Sequence, residues 1–582
     1  MSRKSRLTPV LSLLIMLALI LAGCGGATPQ PAAPTEAPAA QEEPAEEPAE
    51  EPAEEPAEEP AEEPAEEAEP TEAAAEEPTE APAEEPTEAA AEQPAATGGA
   101  AFHGAFPYRI PPEGHLNSFA PGGIPNISSG ISIYRVMLEL PGAMYRWAED
   151  EWMPLLAESW EFVEPDLFVM HLRPGVKWSD GSDFTAQDVV DTFDVGRLFK
   201  WVIFQYVDTV TATDEQTVEF HMNAPSTVVE RYALTEQIRA SATYGELAGR
   251  VRELVEAGAD PEGDEWTALL QEATEFRPEE LVVTGPFNLD VGSINEAQLT
   301  MVKNPSSYLA DTVAFDSIVL FNGETPNVTP LVLAGDVDYA THGFPPATEQ
   351  AFVDMGIRII RAPTYSGPAL YFNHDVYPLN RYEVRQAIAH AVNGEENGTI
   401  ALGESGKDVQ YMAGISDNLL PQWLTEEQIG ELNQYEYDPA RAEEILTGIG
   451  FTRGDDNVWV DDQGNRLAFE LTFPAEFADW SAAAENASEQ LNAFGIEITP
   501  RGVQFQQHLT EVNQGNFQVA IRAWGIGSSP HPHFSLAQDL FTHNYIRATE
   551  GRGMNFPLQQ EIDGEEVDFE ALVVNSAQGL DV

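Results

Sequence analysis

The chain has 582 residues, of which 98 are Asp or Glu and 28 are Lys or Arg, giving a formal charge of -70. So acidic a surface disfavours nucleic acid and anionic lipid headgroups as partners. The single cysteine excludes a disulfide framework, and the length exceeds one ordinary core, which predicts two or more lobes stabilised by packing alone.

In chain order, Arg3, Lys4 and Arg6 form a basic stub, an apolar run extends from Leu7 to Leu21, and Ala22 and Gly23 precede Cys24. Basic, apolar and small residues in that order make a secretory signal. The apolar run is short for a bilayer-spanning helix, which needs about 20 residues. Leu21-Ala22-Gly23-Cys24 resembles the bacterial lipobox. That resemblance implies removal of residues 1–23, lipidation (palmitate included) of the Cys24 thiol, and export. The mature protein is then expected at the extracytoplasmic face of the cell membrane, held there by its lipid.

Residues 24–101 predict a disordered acidic tether. From Ala27 to Gly99 the chain contains no aromatic residue, no Lys and no Arg, and it repeats a Glu-Glu-Pro-Ala unit. Such a composition cannot bury enough apolar surface to offset the entropy of ordering. Proline favours extended polyproline II and like charges repel, so the segment reads as a stiffened spacer.

From Phe102 onward the pattern alternates between strands and helices. Phe168, Met170 and Leu172 have the period of a half-buried strand. Thr185 caps a helix with Asp188 three residues on and Val189, Val190 and Phe193 inward. Leu247, Val251, Leu254 and Val255 have helical spacing, as do Trp266, Leu269 and Leu270. Strands are expected at Gln298–Val302 and Ser317–Phe321, and a helix at Arg381–Val392. Asp438-Pro439 reads as an N-cap with proline at N1. A helix across Ala482–Leu491 leads to a strand at Ile496–Ile498, and Phe517–Ala523 is the last clear strand. Helices interspersed among single strands predict an α/β fold with covered sheets.

Signs of catalysis are few. The sequence has no Gly-x-Ser-x-Gly elbow and no His-Glu-x-x-His. Gly403-Glu404-Ser405-Gly406-Lys407 lacks the spacing of a phosphate loop and reads as a polar loop. His531-Pro532-His533 offers two imidazoles, fewer than a metal site needs. Neither metal nor cofactor is expected, and the chain is not read as an enzyme.

Several blocks, in order, resemble the family 5 extracellular solute-binding proteins, the peptide, nickel and oligosaccharide receptors of ATP-driven importers. They are Leu156-Ala157-Glu158-Ser159-Trp160, His171 to Gly181 with Phe184 to Val189, Thr284-Gly285-Pro286-Phe287, Asn304-Pro305, Gly335-Asp336-Val337-Asp338, Tyr371-Phe372-Asn373 with Val384 to Ile388, Tyr437 to Ala442, and Asn516 to Ala520 leading into Trp524. The resemblance implies a two-lobe periplasmic-binding-protein type 2 fold of the large, dipeptide-binding-protein-like variety. Residues 102–363 and 523–582 would form the larger lobe and residues 364–522 the second. Tyr365-Ser366-Gly367 and Ala523-Trp524-Gly525 would be the hinge crossovers. It further implies a monomer that binds a small solute, peptide or oligosaccharide, and passes it to an ABC permease in the membrane.

For ligand contacts the resemblance points to Trp524, Gly525, Gly527, His531, His533, Phe534, Tyr371 and Asn373. Peptide receptors of this family usually place an Asp a few residues after the matching Trp, paired with the peptide's α-amino group. Trp524 to Pro530 contains no acid, which predicts an uncharged pocket end where the indole could stack on a sugar ring. Asp479 or Asp539 could stand in from elsewhere. Family members also end in a helix and strand returning to the large lobe. No such helix is legible after Val573, so a C-terminally truncated chain is expected.

Overall fold

A computed structural model describes residues 99–126, 131–146, 149–361, 366–525, 531–538, 540, 553–562 and 564–578. Cys24, almost the whole expected tether, Gly527 and Asp539 lie outside the described residues.

Three sheets of four or five strands organise the described residues. The first has five strands in the order Tyr339–Ala340, Ala101–Ala105, Ser317–Phe321, Gln298–Lys303, Phe287–Asp290. Ala101–Ala105 runs parallel to both its neighbours, and the remaining pairs are antiparallel. Register places Ile318 opposite Met301 and Leu320 opposite Leu299, so one face of the sheet is apolar and buried with Phe287 and Tyr108. The first strand therefore begins one residue before the expected lobe boundary at Phe102. Ala101 pairs with Ser317, and the Ala100 carbonyl accepts from Asp316 N at 2.8 Å.

The second sheet is antiparallel, in the order Ala157–Glu164, Leu167–Leu172, Thr217–Met222, Val207–Asp214. The helix Ala186–Leu198 packs on it. Thr185 and Asp188 form its capping box, with Thr185 N donating to Asp188 Oδ2 at 2.8 Å. Val189, Val190 and Phe193 face inward as the spacing predicts, but Val195 and Leu198 are buried as well. The helices Ser241–Glu256 and Asp264–Glu275 cover that other face with Tyr244, Leu247, Val251, Trp266 and Leu269. The amphipathic pattern is thus only part of a helix buried on two sides.

The third sheet runs Gly367–Phe372, Val519–Trp524, Ala468–Pro474, Glu497–Val503, antiparallel at the first pair and parallel at the other two. The helix Ala478–Phe494 makes the crossover between the two parallel strands and ends at Gly495, whose φ of +95° suits glycine. The strand expected at Ile496–Ile498 continues to Val503 through Pro500, which is tolerated because this strand is at the sheet edge. Asp438 caps the helix Pro439–Gly448 as predicted, accepting from Arg441 N at 3.0 Å.

Near the end of the described residues the structure has elements that the sequence reading did not find. A hairpin, Gln559–Ile562 with Glu565–Asp568, leads into the helix Phe569–Gln578. Its Ser576 hydroxyl lies 3.2 Å from His533 Nδ1. Leu572 and Val573 give too short an apolar run to read as a helix by periodicity.

Candidate functional site

The first and third sheets meet at a cleft of ≈ 950 Å3, at the upper end of the range for small-molecule sites and large enough for a solute of several units. Its position follows from strand direction. Ala101–Ala105 and Ser317–Phe321 are parallel and release the chain into the cleft at Phe106 and Asn322. Ala468–Pro474 and Glu497–Val503 are also parallel and do so at Glu476 and Gln504. Crevices beyond the carboxyl ends of parallel strands are where α/β sheets take ligands.

One wall is pinned by backbone. Phe106 N donates to the Phe321 carbonyl at 2.9 Å, and Tyr108 N donates to Asn322 Oδ1 at 2.9 Å. The Tyr108 hydroxyl donates to the Asn295 carbonyl at 3.0 Å, and burial pushes it well above the ordinary phenol range. His342 Nε2 sits 2.9 Å from the Gly323 carbonyl, while burial holds the imidazole below its usual value. Thr325 Oγ1 donates to the Gly343 carbonyl at 3.3 Å. These bonds fix the loops that carry Glu324 and Gly343.

The opposite wall is aromatic. Phe477 meets Trp480 edge-on with centroids 5.3 Å apart and Phe505 at 4.7 Å. Both oxygens of Glu476 accept from Phe505 N, at 3.1 and 3.0 Å, which ties the two strand-to-helix turns together. The Asp479 carboxyl reaches the other wall: a β-carbon built on Gly343 would lie 2.8 Å from its Cγ.

Charge in the cleft is one-sided. Glu113, Glu296, Glu324, Glu476 and Asp479 line it, with Arg109 as the one cationic side chain among the described lining residues. Three helices begin there, Thr325–Ala334, Ala478–Phe494 and Phe505–Asn513, and their N-termini favour carboxylates. Glu476 uses that field directly. Glu324 occupies the N-cap position of its helix but makes no side-chain cap bond. Burial, then the charges of Glu476 and Asp479, push its carboxyl up to about 7. Burial also raises Asp479, opposed by the N–H groups at the start of its own helix.

None of the described residues predicted from sequence as ligand contacts is among those lining the cleft. Asn373 is 3% exposed, and its amide donates to the Gly515 and Phe517 carbonyls at 2.9 and 2.8 Å. Tyr371 is buried and donates to the Ala523 carbonyl at 3.1 Å. Trp524 is half-buried and pairs with Gly367, while Gly525 lies against Ser366. His531 packs on Trp423 at 4.7 Å. His533 is fully buried, with Nε2 3.1 Å from the Tyr232 hydroxyl, and Phe534 lies on the Tyr232 ring at 4.9 Å. Among the described residues no group of three His, Cys, Asp or Glu side chains could hold a metal ion. Asp479, named from sequence as a substitute acid, does line the cleft. Phe477, Trp480, Phe505 and Glu324 were missed. Their shared signal is position, in or beside a short turn between a strand end and a helix start.

Comparison with known proteins gives the site a context. A family model described as bacterial extracellular solute-binding proteins, family 5 (middle part), matches residues 151–545. The dipeptide-binding protein of Escherichia coli K12 is 24% identical over 461 residues, 73% of this chain and 76% of that protein. A periplasmic oligopeptide-binding protein of Thermotoga maritima, solved with bound mannohexaose, superposes with a TM-score of 0.63 at 20% identity, covering 81% of this chain and 84% of that one. The oligopeptide-binding protein AppA of Bacillus subtilis, solved with a nonapeptide, gives 0.58 at 17% identity, covering 78% and 83%.

Proposed function

This chain belongs to the bacterial extracellular solute-binding proteins of family 5, and from that premise we propose that it captures peptides in the cleft and delivers them to an ATP-binding-cassette import permease. Its fold is the two-lobe periplasmic-binding-protein type 2 arrangement. The observation that carries the proposal is the cleft itself, placed beyond the parallel strand ends of two different sheets and lined from both sides. The dipeptide-binding relative supports peptide as the solute.

In this reading residues 102–363 and 523–582 make one lobe and residues 364–522 the other. The crossings lie side by side where Gly367 pairs with Trp524. Gly367 and Gly525 have φ of +138° and +113°, values that glycine adopts without strain, and such positions suit a hinge. The protein acts as a monomer tethered through lipidated Cys24, and the solute leaves chemically unchanged.

An oligosaccharide is the second reading. Phe477, Trp480 and Phe505 give one wall of the cleft aromatic rings of the kind sugars stack on, and the Thermotoga protein was solved with mannohexaose. Calorimetry with a peptide pool and a panel of β-linked oligosaccharides separates the two. Loss of binding in Trp480→Ala, measured well below the variant's own melting temperature, is expected for whichever solute binds. Binding indifferent to cleft substitutions would overturn the proposal.

A further inference from the structure

Building on the lobe division and the solute-binding reading proposed above, we infer that residues 553–556 are a clasp, which holds the second lobe to the larger one from outside the cleft and lets go when the lobes part. In that division the chain after Trp524 belongs to the larger lobe, yet these residues sit on the second. His374 N donates to the Met554 carbonyl at 2.9 Å, and Gly553 N donates to the Asn513 carbonyl at 3.3 Å. Met554 packs against the buried side chains of Val512, Phe517 and Ala520. The Asn555 amide donates to Asp375 Oδ1, from a backbone φ of +55° that asparagine tolerates better than most residues. Phe556 meets the His374 ring edge-on at 4.8 Å.

The other end of the same segment is fixed to the larger lobe. Phe556 packs on Phe569 with centroids 5.1 Å apart, and Phe569 opens the helix that runs to Gln578. Val573 and Ser576, about one and two turns on, are 3% and 5% exposed. Ser576 meets His533, which lies against the Tyr206 and Tyr232 hydroxyls of the larger lobe. From Phe569 to Ser576 the helix rises only about 10 Å, so the link between the lobes is short and stiff.

Its position makes it sensitive to opening. His374 follows Gly367 by seven residues, roughly 20 Å along an extended strand from the crossing. A rotation of about 10° across that strand displaces a point at this radius by about 3.5 Å, more than a hydrogen bond survives. The helix end is the more deeply buried attachment, whereas Met554, Asn555 and Phe556 are only part-buried. The clasp is therefore the joint that yields. Because it is made only while the lobes are together, it biases the empty protein toward the closed arrangement and lengthens the stay of a bound solute.

The test is double electron–electron resonance on the full chain carrying Cys24→Ser. Spin labels are placed at Glu161→Cys in the larger lobe and Glu444→Cys in the second, side chains that are 66% and 71% exposed. Without solute, Met554→Ala and Asn555→Ala are each expected to lower the ratio of short to long inter-label distances at least threefold. Val251→Ala, in a separate core cluster of the larger lobe, is the control for lost stability and should leave the ratio unchanged. Each variant is measured below its own melting temperature. An unchanged ratio in both clasp variants, or an equal fall in Val251→Ala, would overturn the inference. The peptide pool and the oligosaccharide panel are then added. Distances that shorten with a solute but ignore the clasp substitutions leave the solute site standing and remove the clasp. Distances that respond to the clasp substitutions but to no solute keep the clasp and remove the solute reading. Distances fixed throughout remove both.

Discussion

Asp479 rests against Gly343 from across the cleft, so close that a β-carbon on Gly343 would stand 2.8 Å from the carboxyl carbon and 3.0 Å from Asp479 Cβ. Asp479 is short and begins a helix of 17 residues, so it has little room to retreat. Gly343→Ala should hold the walls apart. Solute affinity is expected to fall about tenfold, or 1.4 kcal/mol, while thermal stability stays within about 0.5 kcal/mol, as for a surface change. Small-angle scattering with saturating solute would show a more open particle than the parent.

The Glu324 carboxyl titrates at about 7, against an ordinary value of 4.5. Between those values the native state holds a proton that the unfolded chain has lost, so this group makes stability fall as pH rises through the window. Below it the penalty is absent, and above it the penalty is complete. Glu324→Gln should remove it, stabilising the empty protein at neutral pH by on the order of 1–2 kcal/mol. Urea unfolding at pH 5 and pH 8 reads the difference.

His533 is fully buried among the Tyr206 and Tyr232 hydroxyls and Ser576, and burial holds it down to about 4. Neighbouring His531 is held down to about 3, mainly by burial and also by the charge of Arg231. Both are depressed bases. The unfolded chain takes up their protons below about 6.5, and native stability is lost from there as pH falls, until the folded groups protonate. His533→Gln should cost about 1–3 kcal/mol at pH 7 through its imperfect hydrogen bonds, yet show a shallower loss between pH 6.5 and 4. A parallel slope would mean that His533 titrates alike in the folded and unfolded chain.

Asn373 joins three backbone groups. Its amide donates to the Gly515 and Phe517 carbonyls, and its Oδ1 accepts from Asp375 N at 3.0 Å. Asn373→Ala leaves buried acceptors unmet and should cost about 2–4 kcal/mol. Denaturant midpoints are expected to shift, with solute affinity unchanged in the population that remains folded.

Cys24 carries the proposed lipid. Cys24→Ser should move the protein from the membrane fraction to the soluble extracytoplasmic fraction, with no change in solute binding. Retention of the variant in membranes would assign the anchor elsewhere.

Secondary structure is legible wherever local chemistry decides it. Thr185 with Asp188, Asp438 with Pro439, and the alternation through Ser317–Phe321 each satisfy a backbone or packing need within a few residues. Length is less legible: Pro500 masks a strand that only its edge position permits. The family blocks identify the receptor class, but not the lining of the cleft. Glu324 and Trp480 are separated by more than a hundred residues, and only the direction of four strands brings them to one cavity. Asn373 and His533 look available for a solute because a sequence does not show which carbonyls and hydroxyls already engage them.

Under the proposed lobe division, the pairing of Gly367 with Trp524 also bears on the mechanics of closure. Two chain crossings set far apart define an axis, and rotation about that line is the one easy motion. Crossings that leave a sheet as hydrogen-bonded neighbours act more like a ball joint, free to twist as well as to bend. The joint then does not choose the closed orientation. That choice falls to what meets at the rim, so the fit of Asp479 against Gly343 serves as an alignment stop as well as a contact.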